Sequence, residues 1–339
     1  MRVSLIGFGL AGRVFHAPFI HAVEGLELTT IVTSNAERAE QARREYPQAR
    51  AVASADEAWD AELVVVATPT DSHLALALEA IRRDIAVVVH KPFAPTVAQA
   101  EELIAAGGRA TVFQSRRWDG DFLTLKRIVD DGALGEITRF ESRFERFRPR
   151  VGGGWREQGG DDVGGGQLLD LGTHLVDQAL QLLGPAVRVY AEVDARRPGA
   201  QVDDDAFVAL EHASGARSHL WMGALAPMYG PRFVVSGLGG GFAVDGLDPQ
   251  EAQLQAGLRP GDEGYGERAE PGRLAGADGE QRPVTIQAGR YQDFYAGVRD
   301  WLQDGAPVPV DPRDSLTGLR VLEAARRSAA THDVIDLED

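Results

Sequence analysis

The sequence predicts an α/β protein, with an amino-terminal doubly wound parallel sheet followed by an α+β domain built on an open, largely antiparallel sheet. Three observations predict it. Short β-branched runs alternate with helical patterns through residues 1–118. The segment GFGLAG, Gly7 to Gly12, stands between the first such run and the first helical pattern. Beyond Trp118 the rhythm changes to longer strands of alternating polarity. Parallel strands joined by helices bury both faces and read as continuous apolar runs, whereas antiparallel strands with one covered face alternate.

In order, strands are predicted at Arg2–Ile6, Glu27–Thr33, Glu62–Ala67, Ile85–Val89 and Ala110–Phe113, with helices near Leu10–Val23, Ala36–Tyr46, Ser72–Arg83 and Val97–Ala106. Right-handed crossovers wind this βαβ rhythm into one parallel sheet. After Trp118 come a helix at Asp121–Asp130, a strand at Glu136–Phe144, a glycine-rich loop and a helix at Gln167–Leu183. Alternating strands follow at Val187–Val193, Asp205–His212, Arg217–Met222 and Arg232–Ser236. Residues 258–282 hold many glycines and charges without periodicity and are expected to form a long surface loop. Helices near Tyr291–Asp304 and Pro312–Ser328 close the chain. The expected domains are 1–118 and 119–339.

At 339 residues, with 44% hydrophobic and 25% charged composition, the chain can bury a sizeable core. Its formal net charge of -16 argues against nucleic acid or an anionic membrane as partner, since either needs a broad basic face. The absence of cysteine excludes disulfides, thiolate nucleophiles and cysteine-ligated zinc. No secretory signal pattern is present, and no stretch approaches the roughly 20 apolar residues of a membrane span, so a cytoplasmic protein is expected. Histidines such as His212 and His219 lie in predicted strands without a ligand cluster, and no metal is expected.

In GFGLAG, Gly7, Gly9 and Gly12 have the G-x-G-x-x-G spacing between a strand and a helix. The first glycine permits a tight turn, the second lets backbone approach a pyrophosphate, and the third allows close helix–strand packing. Phosphates then meet free amides at the helix start. The end of the second strand, where a carboxylate usually receives the ribose of NAD, instead reads Thr33-Ser34-Asn35, with Arg38 one turn on. Hydroxyls and an arginine suit a ribose 2′-phosphate, so NADP is expected over NAD. The plainer alternative makes Ser34 or Asn35 a helix cap and Arg38 a solvated charge.

The run AVVVHKPF, Ala86 to Phe93, ends a buried strand with Lys91 just past its carboxyl edge, where open α/β sheets bind ligands. GGGQLLDLGTHLVDQAL, Gly164 to Leu180, starts as a loop and becomes an amphipathic helix. Asp170 and His174, four apart, would share one face, and a carboxylate one turn from an imidazole can orient it for proton transfer. An ordinary helix pair with a core histidine is the alternative. Arg116, Arg117, Trp118 and Asp119 mark the junction of the two domains and either meet a ligand or lock the domains together.

HKP at a strand end after a GxGxxG βαβ domain, followed by GGGxLxDxGxH, resembles the glucose–fructose oxidoreductase / inositol dehydrogenase (Gfo/Idh/MocA) family. GRVFHAPF, RRWDGDFLTL and GGGWRE are similar to its NADP-dependent scyllo-inositol dehydrogenase branch. The resemblance covers essentially the whole chain and implies a Rossmann dinucleotide-binding domain followed by a substrate-binding and oligomerisation domain. It implies that Lys91, Asp170 and His174 are catalytic, and that Gly7, Gly9, Leu10, Ala11, Gly12, Thr33, Ser34, Arg38, Thr68, Pro69, His73, Lys91 and Pro92 hold the cofactor. Arg117, Trp118, Trp155 and Arg156 are the expected substrate contacts, an arginine and an aromatic suiting a polyhydroxylated ring; a solvated loop is the alternative for Trp155 and Arg156, as a capped strand-to-helix turn is for Thr68, Pro69 and His73. One departure is His90, which stands where the family usually has glutamate. The implied activity interconverts a secondary alcohol and a ketone on a cyclic polyol or sugar, in a homo-oligomer, dimeric or larger. Two alternatives share the fold: a catalytically silent NADP-binding sensor or scaffold, and an NAD-dependent glycosidase.

Overall fold

In the computed structural model, which describes residues 1–152, 157 and 164–337, β1 (Arg2–Ile6) is buried at four of its five positions. It lies inside a parallel sheet with β2 (Glu27–Val32), β3 (Arg50–Val52), β4 (Leu63–Val66), β5 (Ala86–His90) and β6 (Ala110–Phe113). The strand order is β3-β2-β1-β4-β5-β6, so the chain direction across the sheet reverses between β1 and β4. That reversal opens a crevice at the carboxyl ends, the usual ligand position in such sheets. Every residue of β4 and β5 is buried, which is why LVVV and AVVVH carry no polar alternation. The short strand β3, RAV, has no residue fully buried and was not legible as a strand.

The helix expected over Leu10–Val23 is two pieces. Ala11–His16 forms a wide π-helical turn, closed by the Ala17 amide on the Gly12 carbonyl, and Ala17–Ala22 continues as a regular helix. Pro18 explains the widening, because it has no amide to return to the preceding turn.

Two units divide the chain, and they are not separated by a single cut. The first comprises Met1–Trp118, Pro249–Gly266 and Arg290–Leu316, the second Asp119–Asp248, Glu267–Gly289 and Thr317–Asp339. The break after Trp118 is thus one boundary, but two later segments expected in the second domain pack with the first. Apolar burial is the reason: helix Gln292–Asp304 buries Phe294, Tyr295 and Val298, with Phe294 edge-on to Phe113 at 4.9 Å.

Within the second unit, the described residues form a nine-stranded sheet. Its strands are β7 (Ile137–Glu145), β8 (Ala186–Asp194), β9 (Asp205–His212), β10 (Arg217–Gly223), β11 (Phe233–Gly237), β12 (Gly240–Val244), β13 (Gly272–Gly276), β14 (Gln281–Val284) and β15 (Ile335–Asp336). The order is β14-β13-β12-β11-β7-β10-β9-β8-β15, antiparallel throughout except for the parallel pair β7 and β10. In β9 buried residues strictly alternate with half-buried ones, matching the alternation in sequence.

The region 258–282 is not the long loop expected from its composition. Its latter part holds β13 and the start of β14, a hairpin at the sheet edge whose polar residues are tolerated because an edge strand is half solvated. Its first part is tied down by side chains, with the Gly266 amide donating to Gln253 Oε1 at 2.7 Å and the Tyr265 hydroxyl to Gln250 Oε1 at 3.2 Å.

Candidate active site

The glycine loop explains its own composition. Gly7 has φ +102° and donates its amide to the Val32 carbonyl at 3.0 Å. A Cβ there would lie 2.6 Å from the carbonyl oxygen of Ala67, just past β4, so both conformation and space demand glycine. A Cβ on Gly12 would collide with the Gly7 carbonyl oxygen, which lets the following turn seat against the loop. At Gly9, by contrast, a Cβ would meet among the described residues a single atom, Nη1 of Arg38, at 3.7 Å. The outer glycines thus shape the loop and the middle one leaves an open face beneath a guanidinium. That cradle fits a dinucleotide pyrophosphate on the backbone amides, and Leu10 and Ala11 continue it into the π-helical turn.

At the end of β2, Thr33 is buried and its amide bonds the Val52 carbonyl at 2.9 Å. Asn35 caps helix Ala36–Glu45, its side-chain oxygen accepting from the Arg38 amide at 2.9 Å. Capping therefore occupies Asn35, and the same turn carries the Arg38 side chain back toward Gly9. Ser34 is exposed beside them.

The loops after β4 and β5, which are neighbouring strands, are stitched together by His73. Its Nε2 lies 3.0 Å from the Thr68 carbonyl and its Nδ1 3.0 Å from that of Pro92. Burial lowers the pKa of this ring, and a neutral imidazole donates through one nitrogen only. Pro69 precedes a short turn, Thr70–Ser72, whose Ser72 hydroxyl donates to Thr68 Oγ1 at 2.7 Å. Lys91 follows β5 directly and is 8% exposed, joined to Pro92 by a cis peptide. The adjacent strands β1, β4 and β5 thus bring the glycine cradle, the Thr68–His73 turn and Lys91 to one edge of one sheet. Arg117 pairs with Asp314 at 3.0 Å, Arg116 pairs with Glu251 at 3.1 Å, and Trp118 stands edge-on to Phe294 at 5.6 Å, all within the first unit.

In the second unit the helix expected over Gln167–Leu183 is broken at Leu171, into Gln167–Asp170 and Gly172–Leu183. Asp170 therefore ends one helix, and His174, buried at 6% exposure, lies in the first turn of the next, its amide on the Leu171 carbonyl at 3.0 Å. Asp203 holds the start of this segment. Its Oδ2 accepts the Leu168 amide at 2.6 Å, and its backbone carbonyl accepts that of Gln167 at 3.0 Å. A carboxylate there satisfies open amides and favours the helix dipole. Gly166, with φ +92°, leaves the room that Asp203 fills, since a Cβ would strike its carboxylate. Gly172 allows close packing, a Cβ there meeting the sulfur of Met222 at 2.9 Å. Trp155 and Arg156 lie outside the described residues. Among the described residues, no cluster of three His, Asp or Glu side chains could hold a metal ion, and no helix is long and apolar enough to cross a membrane.

Sequence reasoning missed Asp203 and also His16, whose Nε2 lies 2.9 Å from His90 Nδ1. It also missed a signal for Lys91. Of the 35 lysines and arginines in the chain only Lys91 and Lys126 are lysines. A chain that uses arginine almost everywhere keeps an amine at this strand end, and an amine, unlike a guanidinium, can change protonation state.

The comparisons with known proteins follow the same division. The profile described as "Oxidoreductase family, NAD-binding Rossmann fold" matches residues 1–113, and that of the "GFO/IDH/MocA C-terminal domain" matches residues 122–243. The uncharacterized oxidoreductase YdgJ of Escherichia coli is 38% identical, covering 97% of this chain and 96% of its own. The scyllo-inositol 2-dehydrogenase (NADP(+)) IolW of Bacillus subtilis is 32% identical, covering 100% of this chain and 96% of its own. An oxidoreductase from Bacillus cereus superposes with a TM-score of 0.89 at 29% identity, over 100% of this chain and 99% of that one. With the glycine cradle, the strand-end lysine and full-length similarity in agreement, the chain belongs to the Gfo/Idh/MocA family of oxidoreductases.

Proposed function

We propose that the chain is an NADP-dependent dehydrogenase that interconverts a secondary alcohol and a ketone on an inositol-like cyclic polyol or a sugar. The observation that carries this reading is the sheet edge where the glycine cradle, with the Arg38 guanidinium beside Gly9, shares adjacent strand ends with the buried amine of Lys91. The relative IolW, by its name an NADP(+) enzyme acting on scyllo-inositol, supports both the cofactor and the substrate class. Gly7, Gly9, Leu10, Ala11 and Gly12 would hold the pyrophosphate, Thr33, Ser34 and Arg38 the ribose phosphate, and Thr68, Pro69, His73 and Pro92 the nicotinamide side. Bound there, the nicotinamide supplies hydride transfer.

The residues of the chain handle the proton and the charge. His174 accepts the hydroxyl proton during oxidation and returns it during reduction. The Lys91 ammonium stabilises the negative charge that develops on the same oxygen. Asp170 orients the hydroxyl. Arg117, Trp118, Trp155 and Arg156 are assigned to substrate recognition. The soluble form is taken as a dimer or larger, joined through the outer face of the second sheet, where Phe207, His219 and Trp221 cluster with ring centroids 5.2–6.1 Å apart.

The test is a panel of inositols, aldoses, ketoses and aryl glycosides with NADP or NADPH, followed by nicotinamide absorbance and by release of the aglycone. Stoichiometric formation of NADPH with scyllo-inositol or a related polyol is the expected result. Glycoside cleavage without net change in absorbance would replace this reading by the glycosidase, and binding of NADP without turnover across the panel by the sensor.

A further inference from the structure

Behind the strand end that carries Lys91 lies a polar chain in an otherwise aromatic interior. His16 is fully buried, with Nδ1 2.7 Å from the Tyr295 hydroxyl and Nε2 2.9 Å from His90 Nδ1. Phe113 closes over both imidazoles, 4.5 Å from the His16 ring centroid and 6.1 Å from that of His90, and stands edge-on to Phe294. The three polar side chains come from the turn after the glycine cradle, from the last residue of β5, and from helix Gln292–Asp304, all of the first unit. His90 is 7% exposed and Lys91, its neighbour in the chain, 8%.

We propose that His16, His90 and Tyr295 are positioning residues for Lys91, a hydrogen-bonded chain that ties the lysine's strand end to the dinucleotide-binding turn and to the helix behind it. The proposal rests on the reading of Lys91 given above. A neutral imidazole has one N–H and one lone pair, so His16 donates in one of its two contacts and accepts in the other. Burial, with a smaller contribution from His73, holds this ring neutral, its pKa down at about 3. The protons can then be arranged in two ways. Either Tyr295 donates to His16 and His16 to His90 Nδ1, or each bond is reversed. In both, one proton occupies each link, and the proton state of His90 Nδ1 is set, through His16, by a hydroxyl 279 positions from His16 in sequence. An incomplete polar network in such an interior is costly, whereas a complete one specifies a single geometry. That geometry fixes β5 at residue 90 and so the direction from which Lys91 leaves the sheet. His90 stands where the family's usual glutamate would place an acceptor only, and an imidazole can accept or donate.

The experiment uses the full chain with isotope-labelled histidine and lysine, at neutral pH and without substrate, and with NADP as the binding probe. Lys91 and Lys126 give the two lysine signals, so Lys126 is an internal reference. In the wild-type protein His16 should show one protonated and one bare ring nitrogen, with His90 Nδ1 complementary to His16 Nε2. Tyr295→Phe and His90→Leu cut the chain at different links, and both should displace the Lys91 signals while leaving those of Lys126 in place. NADP should bind Tyr295→Phe within about twofold of wild type, a ratio of about 0.4 kcal/mol at most. A wild-type spectrum with no proton in one link overturns the proposal, and it does so even if a variant fails to fold. Unmoved Lys91 signals in both folded variants overturn it equally. Failure of Lys91→Ala to lower turnover would instead refute the catalytic reading and leave the hydrogen-bond measurement standing.

Discussion

Replacing Arg38 by alanine tests the cofactor assignment at the one place where the two dinucleotides differ. The guanidinium lies beside Gly9, 3.7 Å from the position a Cβ would take, and extends from a helix whose first turn is held by the Asn35 cap. A hydrogen bond to a charged group contributes about 1.5–3 kcal/mol, which corresponds to about tenfold to a hundredfold in affinity. Arg38 is exposed, and exposed pairs contribute about 1 kcal/mol or less once salt screens them, with a Debye length of about 8 Å at 0.15 M. The loss of NADP affinity in Arg38→Ala should therefore lie between about fivefold and tenfold at physiological salt and be larger at low salt. NAD has no 2′-phosphate for the guanidinium to hold, and its affinity should change by less than about twofold, below 0.5 kcal/mol. Asn35→Ala serves as the control, since loss of a cap costs about 1 kcal/mol of stability and leaves the ratio of the two affinities unchanged. Calorimetric titration of both cofactors at two salt concentrations reads the effect. A loss for NADP under about threefold, or an equal loss for NAD, would refute the assignment of Arg38 to the ribose phosphate.

Four further outcomes are expected. Gly9→Ala should keep the wild-type melting temperature while weakening cofactor binding, whereas Gly12→Ala should lower both, because only the second Cβ meets backbone; thermal melts with and without NADP separate them. His174→Ala and Lys91→Ala should each lower turnover by about a hundred- to ten-thousandfold, and the double variant by less than the product; steady-state rates on a substrate identified by the panel decide, and a change within about threefold for His174→Ala would make it a packing residue. The unfolded chain protonates His16 near pH 6.5 while the folded ring resists down to about 3, so stability is full above 6.5 and falls below it, by at most about 1.4 kcal/mol per pH unit from this group. Urea midpoints between pH 7 and 4.5 should accordingly fall less steeply in His16→Gln, and an unchanged slope would contradict it. Light scattering at micromolar concentration should give at least twice the chain mass of 36.5 kDa, and the monomer mass alone would rule out the dimer.

Features that depend on neighbours a few positions apart were readable in the linear order of residues. The βαβ rhythm, the glycine triplet and the missing carboxylate after β2 are local patterns, and the five strands expected through Phe113 formed close to their expected places. In β4 and β5 the unbroken apolar runs announced burial on both faces because the sheet is covered on both. Lys91 was legible for the same reason, as the first polar step past a buried strand end that also carries His90. What depends on contacts between distant segments took shape only on packing. The division of labour at Asn35 and Arg38 is one such case, the first capping the helix and the second reaching back to Gly9. The start of the turn before Leu171 is held by Asp203, which takes its first amides from 35 positions away. The assignment of Arg290–Leu316 to the first unit follows from where Phe294 and Tyr295 could bury their rings, and that choice also delivered the Tyr295 hydroxyl to His16. Periodicity records whether a side chain will be covered, because covering obeys the repeat of its own helix or strand. Which group covers it is settled only when the elements pack, since burial is indifferent to sequence distance and a hydrogen bond is not indifferent to partner.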